Sequence, residues 1–264
     1  MNILDTIIAH KKTEVAQAKL QTPVQELMQA ELYNRTTFSL IQFLLDESKT
    51  GIIAEFKRQS PSKGIINDKA DVVEVTKAYT QYGASCLSVL TDQHFFGGSN
   101  TDLIRARVNN IPILRKDFIV DEYQITEAKA IGADVILLIA ACLTPARVTE
   151  LALFAKSLQL EVLLEIHNED ELQHICPATE IVGVNNRDLK TFTVDINRSI
   201  ALSKQIPGDK IKIAESGIDR IETISIFKNA GFKGFLIGEN FMKQPDPSIA
   251  FAHFVQQLNT AIIK

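Results

Sequence analysis

Tryptophan is absent from this 264-residue chain, cysteine occurs three times and histidine five times. Each scarcity closes off a class of chemistry. Cys86, Cys142 and Cys176 stand far apart, with no CxxC and no Cys/His ligand spacing, so neither a zinc site nor a disulfide framework is indicated. Cys86 and Cys142 lie in apolar stretches and read as buried thiols. The five histidines form no metal-binding or nucleophile-activating pattern. His167 is placed at the rim of a strand end, while His10, His94, His174 and His253 are expected to face solvent. Basic excess is missing too: Lys+Arg 28 against Asp+Glu 32 leaves a formal net charge of -4, which gives no support to nucleic acid or anionic membrane as a partner. No apolar run reaches membrane-spanning length, and MNILDTIIAHKKTEVAQAK has no signal-peptide core, so a cytoplasmic protein is expected. Neither GxGxxG nor GxxxxGK[ST] occurs after an apolar run, which removes dinucleotide and Walker-type nucleotide sites.

What is present is a hydrophobic fraction of 45%, enough for a large core, and a repeating pattern. From residue 52, short apolar runs alternate with amphipathic segments: Ile52 to Phe56, Cys86 to Leu90, Ile111 to Arg115, Val135 to Ile139, Glu161 to Glu165, Ile181 to Asn185, Ile211 to Glu215 and Gly234 to Ile237. The intervening segments open on helix-capping residues: Asp71, Thr101, Asp121, Thr144 before Pro145, Asn168 with Glu171 three residues on, Asp195 or Asn197, Asp219, and Asp246 before Pro247. Several close on glycine at Gly83, Gly132 and Gly231, as a left-handed helix C-cap requires. Eight such βα units favour a closed sheet, so the fold class is α/β, a (β/α)8 TIM barrel. Residues 1–48 show helical periodicity in three segments and read as an N-terminal helical extension of a single domain spanning 1–264.

In such a barrel the chemistry sits at the C-terminal strand ends. Side-chain alternation places Glu55 and Lys57 in register with Ile53, Lys116 with Leu114, Glu165 with Leu163, and Glu215 with Ile213. The sixth strand ends in Asn185, Asn186 and Arg187. A single charge at a strand end is ordinarily the first solvated residue of a loop. Three carboxylates and three cations (Lys57, Lys116 and Arg187) aimed at one mouth would shift one another's pKa values, and that supplies both an acid and a base near neutrality.

The last two strands run into Glu215-Ser216-Gly217 and Gly238-Glu239. Small residues at these turns expose backbone N–H groups to an anion, and at this place in a barrel the anion is typically phosphate. Phe96 before Gly97-Gly98, and Phe118 beyond Lys116, are placed to cover a flat ligand. In the Ser60-Pro61 turn the serine is within reach of phosphate, and Lys63-Gly64 reads as a mobile loop over the site.

Together IIAEFKRQSPSKG, ILRKDF, LLEIH, GVNNRDL, AESGI and LIGENFM resemble the indole-3-glycerol phosphate synthase family, over about residues 50–243, and the helical extension resembles that family's. The resemblance implies ring closure of 1-(2-carboxyphenylamino)-1-deoxyribulose 5-phosphate, with loss of carbon dioxide and water and without cofactor or metal. It implies Lys116 as the acid of ring closure, Glu165 as general base, and Glu55 and Lys57 as orienting groups that share proton transfers. Asn185, Arg187 and Glu215 would position hydroxyls and anionic groups. Ser60, Ser216, Gly217, Gly238 and Glu239 fall on the family's phosphate positions, and Phe96 and Phe118 on its aromatic pocket. Gln59 departs from the lysine that some relatives carry. No fused phosphoribosylanthranilate isomerase domain is expected after Lys264. The expected partner is a small phosphorylated anionic substrate, met by a monomer. Two readings compete: a phosphate-binding barrel isomerase, which would use carboxylates or cysteines at other strand ends, and a catalytically silent barrel, which would have lost some of Glu55, Lys57, Lys116 or Glu165.

Overall fold

The computed structural model describes residues 3–188 and 193–262. Three helices come first: α1 (Ile3–Gln21), α2 (Val24–Leu27) and α3 (Leu40–Leu45). Eight parallel strands then close into a barrel: β1 (Ile52–Phe56), β2 (Cys86–Leu90), β3 (Ile113–Lys116), β4 (Val135–Ile139), β5 (Glu161–Ile166), β6 (Ile181–Asn185), β7 (Ile211–Glu215) and β8 (Phe232–Ile237). Their order around the barrel is their order in the chain, and β1 pairs with both β2 and β8. Five of them match the expected apolar runs residue for residue. β3 instead begins at Ile113 and reaches Lys116, because Pro112 has no N–H to give the ladder. The strands are nearly continuous apolar runs because both faces are covered, one by the helices and one by the barrel's own interior.

The helices start where their caps are. Asp71 accepts from Val73 N and Glu74 N. Asp121 forms a capping box with Gln124, and Thr144 caps a helix with Pro145 in its first turn. Two starts move: Ser99, not Thr101, caps Asn100–Ala106, and the helix Ile221–Asn229 begins after Arg220. At Gly132, φ is +91° and a Cβ would lie 2.9 Å from Leu32 Cδ1, so only glycine suits the turn.

The N-terminal extension touches both ends of the barrel. At the bottom, α3 inserts the fully buried Leu40 and the buried Leu44 against the inner core of Ile53, Leu114, Leu163 and Ile213. Asp134 anchors this end, accepting from Arg35, Arg107, Phe38 N and Ile113 N. At the top, α1 lies beside the mouth. Ile7, Lys11 and Val15 form its buried stripe, and Tyr123 Oη donates to Ala18 O and Thr22 O. Among the described residues, no helix is long and apolar enough to cross a membrane, and no group of His, Cys, Asp or Glu could hold a metal ion.

Candidate active site

Two residues above the layer of Ile53, Leu114, Leu163 and Ile213, the same four odd-numbered strands carry Glu55, Lys116, Glu165 and Glu215. A (β/α)8 barrel fills its interior in layers drawn from alternate strands, so these four polar side chains replace what would otherwise be the uppermost apolar layer. Glu55, Glu165 and Glu215 are buried, and Lys116 is largely so.

The ionic pairing is more specific than convergence alone implies. Lys116 Nζ lies 3.0 Å from Glu165 Oε2 and 3.1 Å from Glu215 Oε2, bridging β3 to β5 and β7. Lys57 pairs separately with Glu55 at 2.8 Å. Asn185 Nδ2 donates to Glu165 Oε1 at 3.2 Å. Burial works against the charge on Lys116, but Glu165, Glu215 and Glu55 outweigh it and hold the ammonium above the usual lysine range. Burial likewise opposes ionisation of Glu165, yet Lys116 and His167 hold its carboxyl well below the ordinary value. Glu215 goes the other way: burial and the neighbouring Glu165 charge, against Lys116, raise it to about 7. One cation between two carboxylates thus yields a fixed anion and a group that titrates near neutrality.

Two glycines make room for this layer. A Cβ on Gly183 would stand 2.1 Å from Glu215 Oε1, and one on Gly238 would stand 2.5 Å from Glu55 Oε1. Gly183→Ala keeps an allowed backbone but displaces the Glu215 carboxylate. Turnover is expected to fall by up to roughly 100-fold, the scale set by misplacing a reacting group by about 1 Å. Steady-state kinetics beside a thermal melt checks this, since full turnover in a folded variant would show that Glu215 need not sit there.

The mouth contains two connected cavities. One, of about 320 Å³, is lined by Ser60, Arg187, Ser216, Gly217, Gly238 and Glu239. The other, of about 180 Å³, holds Lys116, Glu165, Asn185 and Glu215 together with Leu137, Ile139 and Leu236. Glu55, Lys57, Phe96, Phe118 and Leu4 line both, and the two phenyl rings are 6.0 Å apart between centroids. All fourteen residues singled out in the sequence therefore border one continuous site. Ser60 Oγ is enclosed and has no hydrogen-bond partner among the described residues. Ser216 and Gly217 both take left-handed backbone, with φ of 67° and 68°, and a Cβ on Gly217 would meet Val194 Cγ1 at 2.4 Å. A non-glycine residue held this way carries strain, which is characteristic of a ligand turn. The Glu239 carboxylate lies 3.9 Å from both Arg187 and Lys63. Lys63 lies in the turn of a two-stranded hairpin between Gln59–Ser60 and Gly64–Ile65, and Gly64 opens its second strand. Gln59 donates to His94 O at 3.4 Å.

Family-model comparison matches residues 4–254 to indole-3-glycerol phosphate synthase. The chain belongs to the indole-3-glycerol phosphate synthase family. It is 46% identical over 259 residues to the indole-3-glycerol phosphate synthase of Bacteroides thetaiotaomicron, covering 97% of this chain and 99% of that one. It is 42% identical to the Acinetobacter baumannii protein of the same name, covering 98% and 97% of the two chains. Among solved structures, 3-hexulose-6-phosphate synthase superposes with a TM-score of 0.62 at 14% identity, covering 80% of this chain and 98% of that one. The tryptophan synthase complex of Pyrococcus furiosus does so at 0.60 and 14%, with the same coverage. These two likenesses speak to the fold alone. Unlike the motif resemblance over about residues 50–243, the family match takes in α1.

Several neighbours of this synthase-family site were not legible as site residues. Ile3, Leu4 and Ile7 of α1 line the larger cavity. Lys11, fully buried, lies 2.9 Å from Asp92 and 3.0 Å from Asp117 in the loops after β2 and β3. A signal existed in the sequence: Lys11 sits on the apolar stripe midway between Ile7 and Val15. Asn168 does stand at the start of a helical segment, the 3-10 helix Glu169–His174, but its side chain accepts no capping bond, because its amide donates to the Glu171 side chain. His174 is buried, its ring nitrogens facing Leu143 O and Glu171 O, which corrects its placement in solvent. Cys142 is only half-buried, although burial still pushes its thiol up to about 12.

Proposed function

We propose that the chain closes the indole ring of 1-(2-carboxyphenylamino)-1-deoxyribulose 5-phosphate, releasing carbon dioxide and water to give indole-3-glycerol phosphate. The observation that carries this reading is the Lys116 ammonium held between Glu165 and Glu215 at the floor of a cavity roofed by Phe96 and Phe118. The phosphate takes the larger cavity, where Ser60, Ser216, Gly217 and Gly238 lie. The aryl ring lies against the two phenylalanines.

The anilino nitrogen pushes electrons through its ring so that the carboxylate-bearing carbon attacks the ketone. Lys116 gives its proton to the forming alkoxide. Loss of carbon dioxide returns the electron pair to the ring and restores aromaticity. The nitrogen then expels the new hydroxyl as water, an acid protonating the leaving oxygen and Glu165 taking the proton that completes the pyrrole ring. Lys57 and Glu55 orient the reacting carbons, and Asn185, Arg187 and Glu215 hold hydroxyl and anionic groups. The ring nitrogen is itself the electron source, so the reading requires no cofactor and no metal.

We read residues 1–264 as one domain, in a cytoplasmic monomer. Purified protein given the carboxyphenylamino substrate in metal-free, nucleotide-free buffer should generate indole absorbance and fluorescence. No product at any substrate concentration would refute the assignment, and light scattering on the same preparation tests the monomer.

A further inference from the structure

Glu165 is held from a second side, by a histidine that the proposed chemistry leaves unused. His167 follows Glu165 by two residues, so both point into the barrel mouth. The imidazole is buried, with Nε2 at 3.1 Å from Glu165 Oε1 and Nδ1 at 3.2 Å from Glu171 Oε2. Glu171 is fixed in turn: it accepts from His167 N at 2.7 Å and from Asn168 Nδ2 at 2.9 Å. A neutral imidazole has one N–H and one lone pair, so it would set that lone pair against one of the two carboxylates. Only the doubly protonated ring turns an N–H toward each, donating to Glu171 and meeting Glu165 as an ion pair whose geometry falls short of a hydrogen bond.

We propose that Glu171 and His167 form a positioning pair that keeps Glu165 ionised and its Oε1 fixed, leaving Oε2 to Lys116. The inference rests on Glu165 being the general base. The ordinary tendency of a buried carboxyl is to protonate, and an ionised base at the floor of a barrel needs a counter-charge that survives the consumption of the Lys116 proton. His167 supplies it. Burial lowers its affinity for a proton, but Glu165 and Glu171 outweigh burial and raise it to about 9. The other groups facing Glu165 are Lys116 from β3, Asn185 from β6, Glu215 from β7 and the Cys142 thiol beyond β4, while Glu55 on β1 acts through Lys116.

The test has one arm that does not depend on turnover. Nitrogen-15 NMR of histidine-labelled protein, with His167 assigned from the His167→Gln variant, should show both ring nitrogens protonated between about pH 6 and 8. A neutral tautomer at pH 7 would overturn the proposal. In kinetics, His167→Gln and Glu171→Gln should each move the acid limb of kcat/KM upward by roughly one pH unit or more. Both should leave KM near the parent value, and the double variant should move the limb no further than either single one. An equal loss at every pH, with the limb unmoved, would make the pair merely structural and would also overturn it. Should His167→Gln not fold, Glu171→Gln and the spectrum of the parent protein still decide. Full turnover in Glu165→Gln would instead remove Glu165 from the reaction while leaving the imidazolium visible, so the two failures are distinguishable.

Discussion

Lys116→Ala should lower turnover at least ~100-fold, the lower end of what a positioned general acid contributes. The expectation rests on geometry that Lys57 does not share. Lys116 stands between two buried carboxylates on β5 and β7, whereas Lys57 is paired with Glu55 alone at 2.8 Å. The carboxylates that hold the Lys116 proton in the free enzyme also rebind one after each cycle, so the acid is regenerated in place. The truncation has a second effect. It removes the cation between Glu165 and Glu215, so Glu215 takes up a proton near neutrality, and Glu165, although still faced by His167, loses the contact that fixes its Oε2, so the base function suffers with the acid. Glu165→Gln should therefore cost a similar factor, and the double variant should be little worse than either single one, since the two groups act as a unit. Single-turnover measurement of indole formation, with a thermal melt of each variant, checks this. Unchanged turnover in a folded Lys116→Ala protein would move the acid role to another residue.

Lys11→Met should cost about 3–5 kcal/mol of stability at neutral pH, the range for removing one partner of a buried ion pair. Lys11 Nζ contacts Glu14 at 2.9 Å, Asp92 at 2.9 Å and Asp117 at 3.0 Å, and its side chain is inaccessible to solvent. Without it, Asp117 keeps Arg115 at 3.4 Å and the Thr91 hydroxyl, while among the described residues Asp92 keeps only backbone donors, Phe95 N and Phe96 N. The sign of the pH dependence follows. Burial raises Asp117, but Lys11 and Arg115 prevail and lower it below the ordinary 3.8, so its contribution is present above that pH and lost as pH falls below it. In the variant Asp117 loses the charge that holds it low and favours protonation, so the deficit should shrink on going from pH 7 toward about 4. Denaturant unfolding at both pH values measures this, and a deficit independent of pH would show that packing, not charge, is lost. Activity should suffer too, through KM, because α1 carries Ile3, Leu4 and Ile7 at the wall of the larger cavity.

The eight strands were legible because each is a short apolar run between a glycine or capping residue and the next helix, and those signals are local. Alternation within a strand then fixed which way Glu55, Lys116, Glu165 and Glu215 point, since a side chain two residues beyond a core residue shares its face. The strand-three boundary slipped where Pro112 interrupts the ladder. His174 was misplaced because nothing local reveals that Leu143 O lies across from it.

The sequence by itself determined the strand count, the register of the polar layer and the strand-end residues that border the site, all of which depend on spacing along the chain. Only the tertiary structure decided which charges meet across the barrel: Lys116 with both Glu165 and Glu215, and Lys11 with aspartates 81 and 106 residues away in sequence. Barrel closure is the physical reason. Partner choice among charges depends on distances of a few ångströms across a closed sheet, and period-2 geometry carries no information about them.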